Sequence, residues 1–267
     1  MKLNIVPART GLQWVKLGVK TFMKQPLGLT GLAFMYGALY ALLATIPVVG
    51  LVAIAVLTPA ATLAMFVATE KVASGVFPMP SVFLSAFRQG RQTTRAILVL
   101  GVLHVVALVA ILGLLNLFFD GGAMEVTQGS GGAPPQVEVK AAFFVATALQ
   151  LPLLVLFAFA PALVYWHGIS PGKSLFFSLV AFWRNLRAFL AYAAAWVLIL
   201  VAVMLVLALV SGGRPMLLVQ FLAPFMLVFL AMLFTSMYFS FRDSFAATPD
   251  PPDSPGPPPE EAPHEQP

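Results

Sequence analysis

The sequence predicts an all-α protein: a polytopic transmembrane helical bundle of about six spans in three hairpins, each preceded by an interfacial amphipathic helix. Of the 267 residues, 60% are hydrophobic and only 9% are charged, and the mean hydropathy is +0.93. Soluble globular domains carry about 25% charged residues, so this chain cannot cover a water-facing surface of its own size. Long apolar runs and a one-sided distribution of lysine and arginine complete the prediction.

The six predicted spans are apolar runs of the length that crosses a bilayer, about 20 residues. They cover residues 27–44, 48–68, 96–118, 142–166, 188–210 and 215–238. None of these ranges contains Asp, Glu, Lys or Arg, as expected because a charge at mid-bilayer depth costs at least about 2.5 kcal/mol. The first run is too long for the apolar part of a cleavable signal peptide, so we expect it to remain as a span.

Lysine and arginine lie almost entirely on one side of this arrangement. Thirteen of the fifteen fall on the side of both chain ends, and only Lys140 and Arg214 fall on the other. Cytoplasmic connections carry this excess in inner-membrane proteins. We therefore expect a multi-pass protein of the bacterial inner membrane with cytoplasmic N and C termini. The net charge of +5 then follows from topology, and we expect no nucleic-acid partner.

The spans divide the chain into three parts. Residues 1–26 form a cytoplasmic segment with the first interfacial helix, residues 27–245 form the six-span domain, and residues 246–267 form a tail rich in proline and acids. We expect the tail to be disordered, either as a plain solvated extension or as a ligand for a partner domain. The outer loop, residues 119–141, has a glycine-rich centre that we expect to be flexible.

A threefold pattern runs along the chain. Amphipathic segments at residues 14–22, 81–88 and 174–184 each end in an aromatic residue followed closely by a cation. The second span of each hairpin contains a proline, Pro59, Pro161 or Pro224, which removes a backbone donor and is expected to kink the helix. These features favour three repeats. The alternative, that prolines are simply common in membrane helices, stays open.

Two groups of polar residues are candidates for function. His104 lies near the middle of the third span, where it is either a ligand or proton-relay site or a neutral imidazole that packs helices together, with Gln150 as its partner. The second group consists of cytoplasmic arginines, which either bind anionic lipid headgroups or only set the topology. Its members are Arg88, Arg91, Arg95, Arg184 and Arg187.

Nothing in the sequence specifies catalysis. There is no HExxH motif and no phosphate-binding glycine loop, and the chain has no cysteine and only three histidines. We therefore expect no catalytic residue, no metal site and no cofactor. An enzyme would need chemistry at the cytoplasmic interface near Glu70, His167 or Arg184, and their spacing does not specify one.

Short segments up to Phe245 carry a family resemblance. They are Val6-Pro7-Ala8-Arg9 with Gly11 and Trp14, Gln25-Pro26-Leu27, Ile46-Pro47-Val48-Val49-Gly50, Ala160-Pro161-Ala162-Leu163-Val164 with His167-Gly168, Lys173-Ser174-Leu175-Phe176-Phe177-Ser178, Trp183-Arg184-Asn185 and Tyr238-Phe239-Ser240-Phe241-Arg242-Asp243. With them the chain resembles an uncharacterised family of six-span inner-membrane proteins of proteobacteria, which implies that location and supplies no catalytic residues. The plan is more distantly similar to the membrane domain fused to some glycerophosphodiester phosphodiesterases. This chain lacks their catalytic domain, so their activity does not carry over.

These observations favour a non-enzymatic integral membrane protein that binds lipid or organises a membrane complex. The reason is the combination of three basic amphipathic segments with the absence of catalytic motifs. The expected partners are membrane lipids, with a protein partner or a second copy of the chain as further candidates. The alternative function is a transporter or permease for a small solute or lipid, because repeated hairpins with proline-interrupted helices suit one. No charged residue lies inside a span to couple ions, which counts against that alternative.

Overall fold

The structure, a computed structural model, describes residues 3–119, 124–127, 136–212 and 214–245. The glycine-rich centre of the outer loop and the tail after Phe245 lie outside the described residues. The helices are α1 (Arg9–Phe22), α2 (Pro26–Ala44), α3 (Val49–Ala73), α4 (Ser85–Arg88), α5 (Arg91–Phe118), α6 (Ala141–His167), α7 (Pro171–Arg184), α8 (Leu186–Val210) and α9 (Pro215–Phe245). A 3₁₀ turn, Pro80–Leu84, precedes α4.

Six of these helices, α2, α3, α5, α6, α8 and α9, are long and apolar enough to cross a membrane. This confirms the predicted all-α polytopic fold class. The predicted spans match α2, α6 and α8 closely, whereas α3 continues past residue 68 to Ala73, α5 begins earlier at Arg91 and α9 continues past residue 238 to Phe245. These three extensions carry polar residues, so hydropathy excludes them although the helical hydrogen bonding continues.

The outer loop contains a short β-hairpin that the sequence analysis did not predict. Strand β1 (Met124–Thr127) pairs antiparallel with β2 (Gln136–Val139), and Met124 lies opposite Val139. Both strands alternate apolar residues with polar ones, which is a strand signal. The glycine-rich stretch between them dominated the composition of the loop and concealed that signal.

Each short helix packs against the proline-containing span of the preceding repeat. The 3₁₀ turn and α4 pack on α3, α7 packs on α6, and α1 packs on α9 and also on α8. The short helix of the first repeat thus packs against the last repeat, and this contact closes the bundle into a ring of three units. This arrangement supports the interpretation of the chain as three repeats, because the same neighbour relation recurs at each step.

Two apolar clusters fill the ring. One surrounds Leu63 and Leu100, where α3 meets α5, and the other is largely aromatic and surrounds Trp14 and Phe159. The aromatic cluster lies at the end of the bundle where the described part of the chain begins and ends, since Phe245 belongs to the cluster and the Asn4 N–H donates to the Ser244 carbonyl at 2.9 Å. We call this end the terminal face. Trp14 is fully buried there, and its indole Nε1 donates to Oδ2 of Asp243 at 3.0 Å.

Candidate functional site

The joint between α4 and α5, which we call the open corner, brings three of the predicted arginines together. Arg88, Arg91 and Arg95 line one open cavity of about 390 Å³, with Phe87, Gly90, Thr94 and Leu98 completing its wall. Gly90 makes the turn with φ 109° and ψ 164°, a conformation that is essentially restricted to glycine. The Thr94 hydroxyl donates to the Gly90 carbonyl at 3.1 Å and stabilises the turn.

The charge at the open corner is unbalanced. All three arginines are exposed. Within the described residues none of them takes part in an ion pair; the ion pair between Arg242 and Asp243 lies away from this corner, on α9. Arg91 and Arg95 also occupy the first turns of α5, where the helix dipole is already positive. Positive charges placed close together at a helix N-terminus destabilise the fold, because they repel each other and the positive end of the helix dipole. An anion bound here would relieve that repulsion.

An apolar groove of about 90 Å³ adjoins the open corner. Phe87 lines both the groove and the arginine cavity. The other groove residues come from α2, α3 and the 3₁₀ turn, and they are Tyr36, Leu39, Tyr40, Leu43, Ile54, Leu57, Ala60, Ala61 and Phe83. Leu39 and Tyr40 are about half exposed, at 47% and 46%, so the groove opens on the outer surface of the bundle. A cationic cavity next to an apolar groove has the two chemical features of a phospholipid.

The other two predicted arginines lie at the joint between α7 and α8, which we call the closed corner. Arg184 and Arg187 are exposed on either side of Asn185, whose own side chain is buried. Its Oδ1 accepts from the Val6 N–H at 2.8 Å, and its Nδ2 donates to the Asn4 carbonyl at 3.0 Å. The N-terminal segment therefore occupies this corner, and the five predicted arginines divide between two joints.

His104 is engaged in helix packing. Its Nδ1 lies 2.9 Å from the carbonyl of Ala55 on α3, and its ring lies 4.9 Å from that of Phe157. Ala55 is four residues before Pro59, which has no N–H, so its carbonyl lacks the usual intrahelical donor. A carbonyl only accepts, so Nδ1 carries the hydrogen and the imidazole supplies the missing bond. Gly101 permits this approach, because a Cβ there would overlap the Val56 carbonyl.

The structure does not join Gln150 to His104. Gln150 is exposed on α6, and His104 is 9% exposed with its hydrogen bond directed to α3.

The span prolines differ in how the backbone before them is paired. Pro161 is buried within α6, where the Ser178 hydroxyl donates to the Val155 carbonyl at 2.6 Å and accepts from the Phe159 N–H at 3.2 Å. Pro224 is exposed within α9. Before Pro59 and before Pro161, a side chain from another helix therefore forms a hydrogen bond with the backbone: His104 in the first case and Ser178 in the second.

A second cavity, of about 310 Å³, lies at the terminal face where α3, α6 and α9 end. Its lining includes Glu70 and His167, with Trp166, Tyr238, Phe241, Arg242 and Phe245. Glu70 and His167 were named from the sequence, with Arg184, as alternative places for interfacial chemistry, and their spacing gave no reason to group them in one pocket. The available signal was that both lie at the cytoplasmic ends of predicted spans. We call this cavity the Glu70 pocket.

The fold defines the class: a multi-pass membrane protein whose candidate spans are all α-helices. The comparison with known proteins is more specific. The chain is 31% identical over 254 residues to a protein of Burkholderia thailandensis named "Probable inner membrane protein", covering 92% of this chain and 94% of that protein. The chain belongs to the same family of inner-membrane proteins, in agreement with the resemblance noted above. No protein-family model and no solved structure matches the chain.

Proposed function

We propose that this inner-membrane protein binds an anionic phospholipid, without catalysing a reaction, at the open corner. The observation that carries the proposal is that Arg88, Arg91 and Arg95 line one cavity with no ion-pair partner in the described part of the chain. In this proposal the phosphate contacts the guanidinium groups and an acyl chain follows the groove beside Phe87. The cavity lining contains no acid, histidine or lysine, which agrees with a binding role.

The chemistry of arginine supports a phosphate ligand. The planar guanidinium group presents donors in a fork that matches phosphate oxygens, and it stays charged at any physiological pH. Basic residues near an anionic membrane surface contribute about 1 kcal/mol each. Three of them around one headgroup would contribute about 3 kcal/mol, which corresponds to roughly a hundredfold preference over a neutral lipid at 1.4 kcal/mol per factor of ten.

The proposal includes the orientation of the protein, with the terminal face in the cytoplasm. It is supported by the excess of lysine and arginine on that side. Because the chain has no cysteine, single cysteines can report accessibility. We expect a membrane-impermeant maleimide to label Thr45→Cys in intact spheroplasts and to label Ser170→Cys only after permeabilisation. The opposite labelling pattern would reverse the orientation.

The lipid proposal is tested by native mass spectrometry of the full-length protein released from mixed micelles of phosphatidylglycerol and phosphatidylcholine. The test variant combines Arg88→Gln, Arg91→Gln and Arg95→Gln, and the matched control combines Arg184→Gln and Arg187→Gln. We expect phosphatidylglycerol bound at fixed stoichiometry to the unmodified chain and to the control, and at least a tenfold loss of it in the test variant.

Two results would overturn the proposal. One is equal loss of lipid in the test variant and in the control, which would mean that the arginines act only through overall charge. The other is a chain that carries no lipid at fixed stoichiometry but retains another protein, which would favour a role in organising a membrane complex.

A further inference from the structure

The Glu70 pocket is separate from the open corner and has a different character. Its cavity of about 310 Å³ opens on the terminal face, and none of the arginines of the open corner lines it. One carboxylate, one histidine and one arginine lie among four aromatic rings. A pocket of this composition has no role in the binding of an anionic lipid at the other site, so its chemistry requires its own explanation.

The electrostatics of the Glu70 pocket favour a cation. Helices α3, α6 and α9 all end beside it, at Ala73, His167 and Phe245, and the C-terminal end of a helix carries a partial negative charge. Glu70 lies in the last turn of α3, where a full negative charge opposes that helix dipole. Such a placement is unfavourable for α3 by itself, and a bound cation would offset it.

No cation in the described part of the chain forms an ion pair with Glu70, although the charge of the adjacent Lys71 acts on it from a distance. Arg242 lines the pocket, but its Nε and a terminal nitrogen both donate to Oδ1 of Asp243, at 3.1 and 3.0 Å. The same guanidinium lies 4.9 Å from the centre of the Phe239 ring. Lys71 follows Glu70 in the chain and is not part of the pocket lining. Within the described residues, Glu70 takes part in no ion pair.

The aromatic wall indicates what kind of cation fits. Trp166, Tyr238, Phe241 and Phe245 surround the cavity, and the Trp166 and Phe241 rings stack with centroids 5.4 Å apart. Aromatic faces attract ammonium groups and hold them best when water is excluded. A hard metal ion takes six or more oxygen ligands, whereas the described residues contain no group of three acids, histidines or cysteines that could hold one.

We infer that the Glu70 pocket binds an alkylammonium group, with the Glu70 carboxylate as its counter-ion and the aromatic rings as its walls. The group has two sources, the headgroup of an amino phospholipid or a free amine in the cytoplasm. The two sources share one recognition chemistry, and they differ in whether the ammonium is attached to acyl chains. Separate measurements distinguish them.

The first measurement uses the full-length protein in detergent. Choline chloride is titrated against sodium chloride of equal ionic strength, and the signal is the part of the tryptophan fluorescence that Trp166→Leu removes, because the chain has four tryptophans. A saturable change in the unmodified chain that weakens at least tenfold in Glu70→Gln identifies a free ammonium ligand. Lys173→Gln is the matched control, since it removes an exposed positive charge that is not part of the lining, and its affinity should be within twofold of the unmodified chain.

The second measurement is native mass spectrometry from micelles that contain phosphatidylethanolamine and phosphatidylglycerol. Loss of the phosphatidylethanolamine adduct in Glu70→Gln, without a choline response, identifies the lipid headgroup as the source. Trp166→Leu keeps the carboxylate and removes the largest ring, so it should weaken the adduct several-fold even if Glu70→Gln does not fold. Absence of both forms of binding in the unmodified chain overturns the inference, as does binding that both variants retain within twofold.

The binding of an ammonium group at the Glu70 pocket can be tested independently of the proposed anionic site. The variant that replaces Arg88, Arg91 and Arg95 should lose phosphatidylglycerol and keep the ammonium ligand. A loss of both ligands in that variant would mean that the pockets are parts of one site, and it would overturn the separate assignment made here.

Discussion

The open and closed corners begin from nearly the same sequence and end as different structures. The open corner has Arg88-Gln89-Gly90-Arg91, and the closed corner has Arg184-Asn185-Leu186-Arg187, so each has two arginines separated by an amide and one further residue. At the open corner the amide residue, Gln89, is exposed and the arginines line a cavity. At the closed corner the amide residue is buried and bonded to the N-terminal segment.

The difference shows that a repeated basic motif need not have a repeated function. The ring of three repeats is built from one chain, and the N-terminal segment reaches only the closed corner, between α9 and the joint of α7 and α8. That corner serves to hold the ring shut. The open corner has no such segment over it, which leaves its cations available for a ligand.

The largest effect that tests this comparison is expected from Asn185→Ala. The change removes the acceptor of the Val6 N–H and the Asn185 amide that donates to the Asn4 carbonyl, both at a part-buried joint. Loss of a hydrogen-bond partner at a buried polar group costs about 1–3 kcal/mol, so we expect the free energy of unfolding in mixed micelles to fall by about 2 kcal/mol. Gln89→Ala is the matched control at the open corner and should change it by less than about 0.5 kcal/mol. Equal costs at the two corners would contradict the distinction.

A smaller effect is expected from Gly90→Ala. The φ of 109° at this position is strained for any residue with a Cβ, and such strain costs about 1–3 kcal/mol. We expect lower thermal stability together with weaker retention of phosphatidylglycerol, because the turn places the arginines around one cavity. Gly172→Ala is the control, since it lies in the first turn of α7 with open space around it and should be neutral or slightly stabilising. A Gly90→Ala protein that keeps both properties would show that the turn is unimportant for the site.

The smallest effect concerns how α5, which starts at the open corner, is held against α3. His104→Leu removes the donor to the Ala55 carbonyl, whereas Pro59→Ala restores an intrahelical N–H for that carbonyl. The cost of His104→Leu should therefore be lower in the Pro59→Ala background, by about 0.6 kcal/mol and at most about 1.7 kcal/mol, the average and the maximum measured for hydrogen bonds between membrane helices. A double-mutant cycle in the same micelles measures this coupling. A coupling energy of zero would mean that the bond contributes no stability.

The residues of the candidate site could be named from the sequence, but which of them share one cavity could not. The three arginines of the open corner were named from their position before the third span, because basic residues at a membrane boundary favour anionic headgroups. The same reasoning named Arg184 and Arg187 with equal weight, since it cannot see that the N-terminal segment occupies their joint. It also paired His104 with Gln150, whereas the bond goes to a backbone carbonyl that no side-chain pattern reveals.

The sequence by itself determined the fold class, the six spans and the short helix before each hairpin. These follow from the cost of placing charges and unpaired backbone groups in hydrocarbon, a cost that each segment incurs on its own. Tertiary structure alone decided that α1 closes the ring on α8 and α9, that one arginine corner stays open, and that Glu70 joins His167 and the aromatic rings in a pocket. These depend on contacts between segments far apart in the chain, where shape and the pairing of individual polar groups decide among arrangements of equal hydropathy.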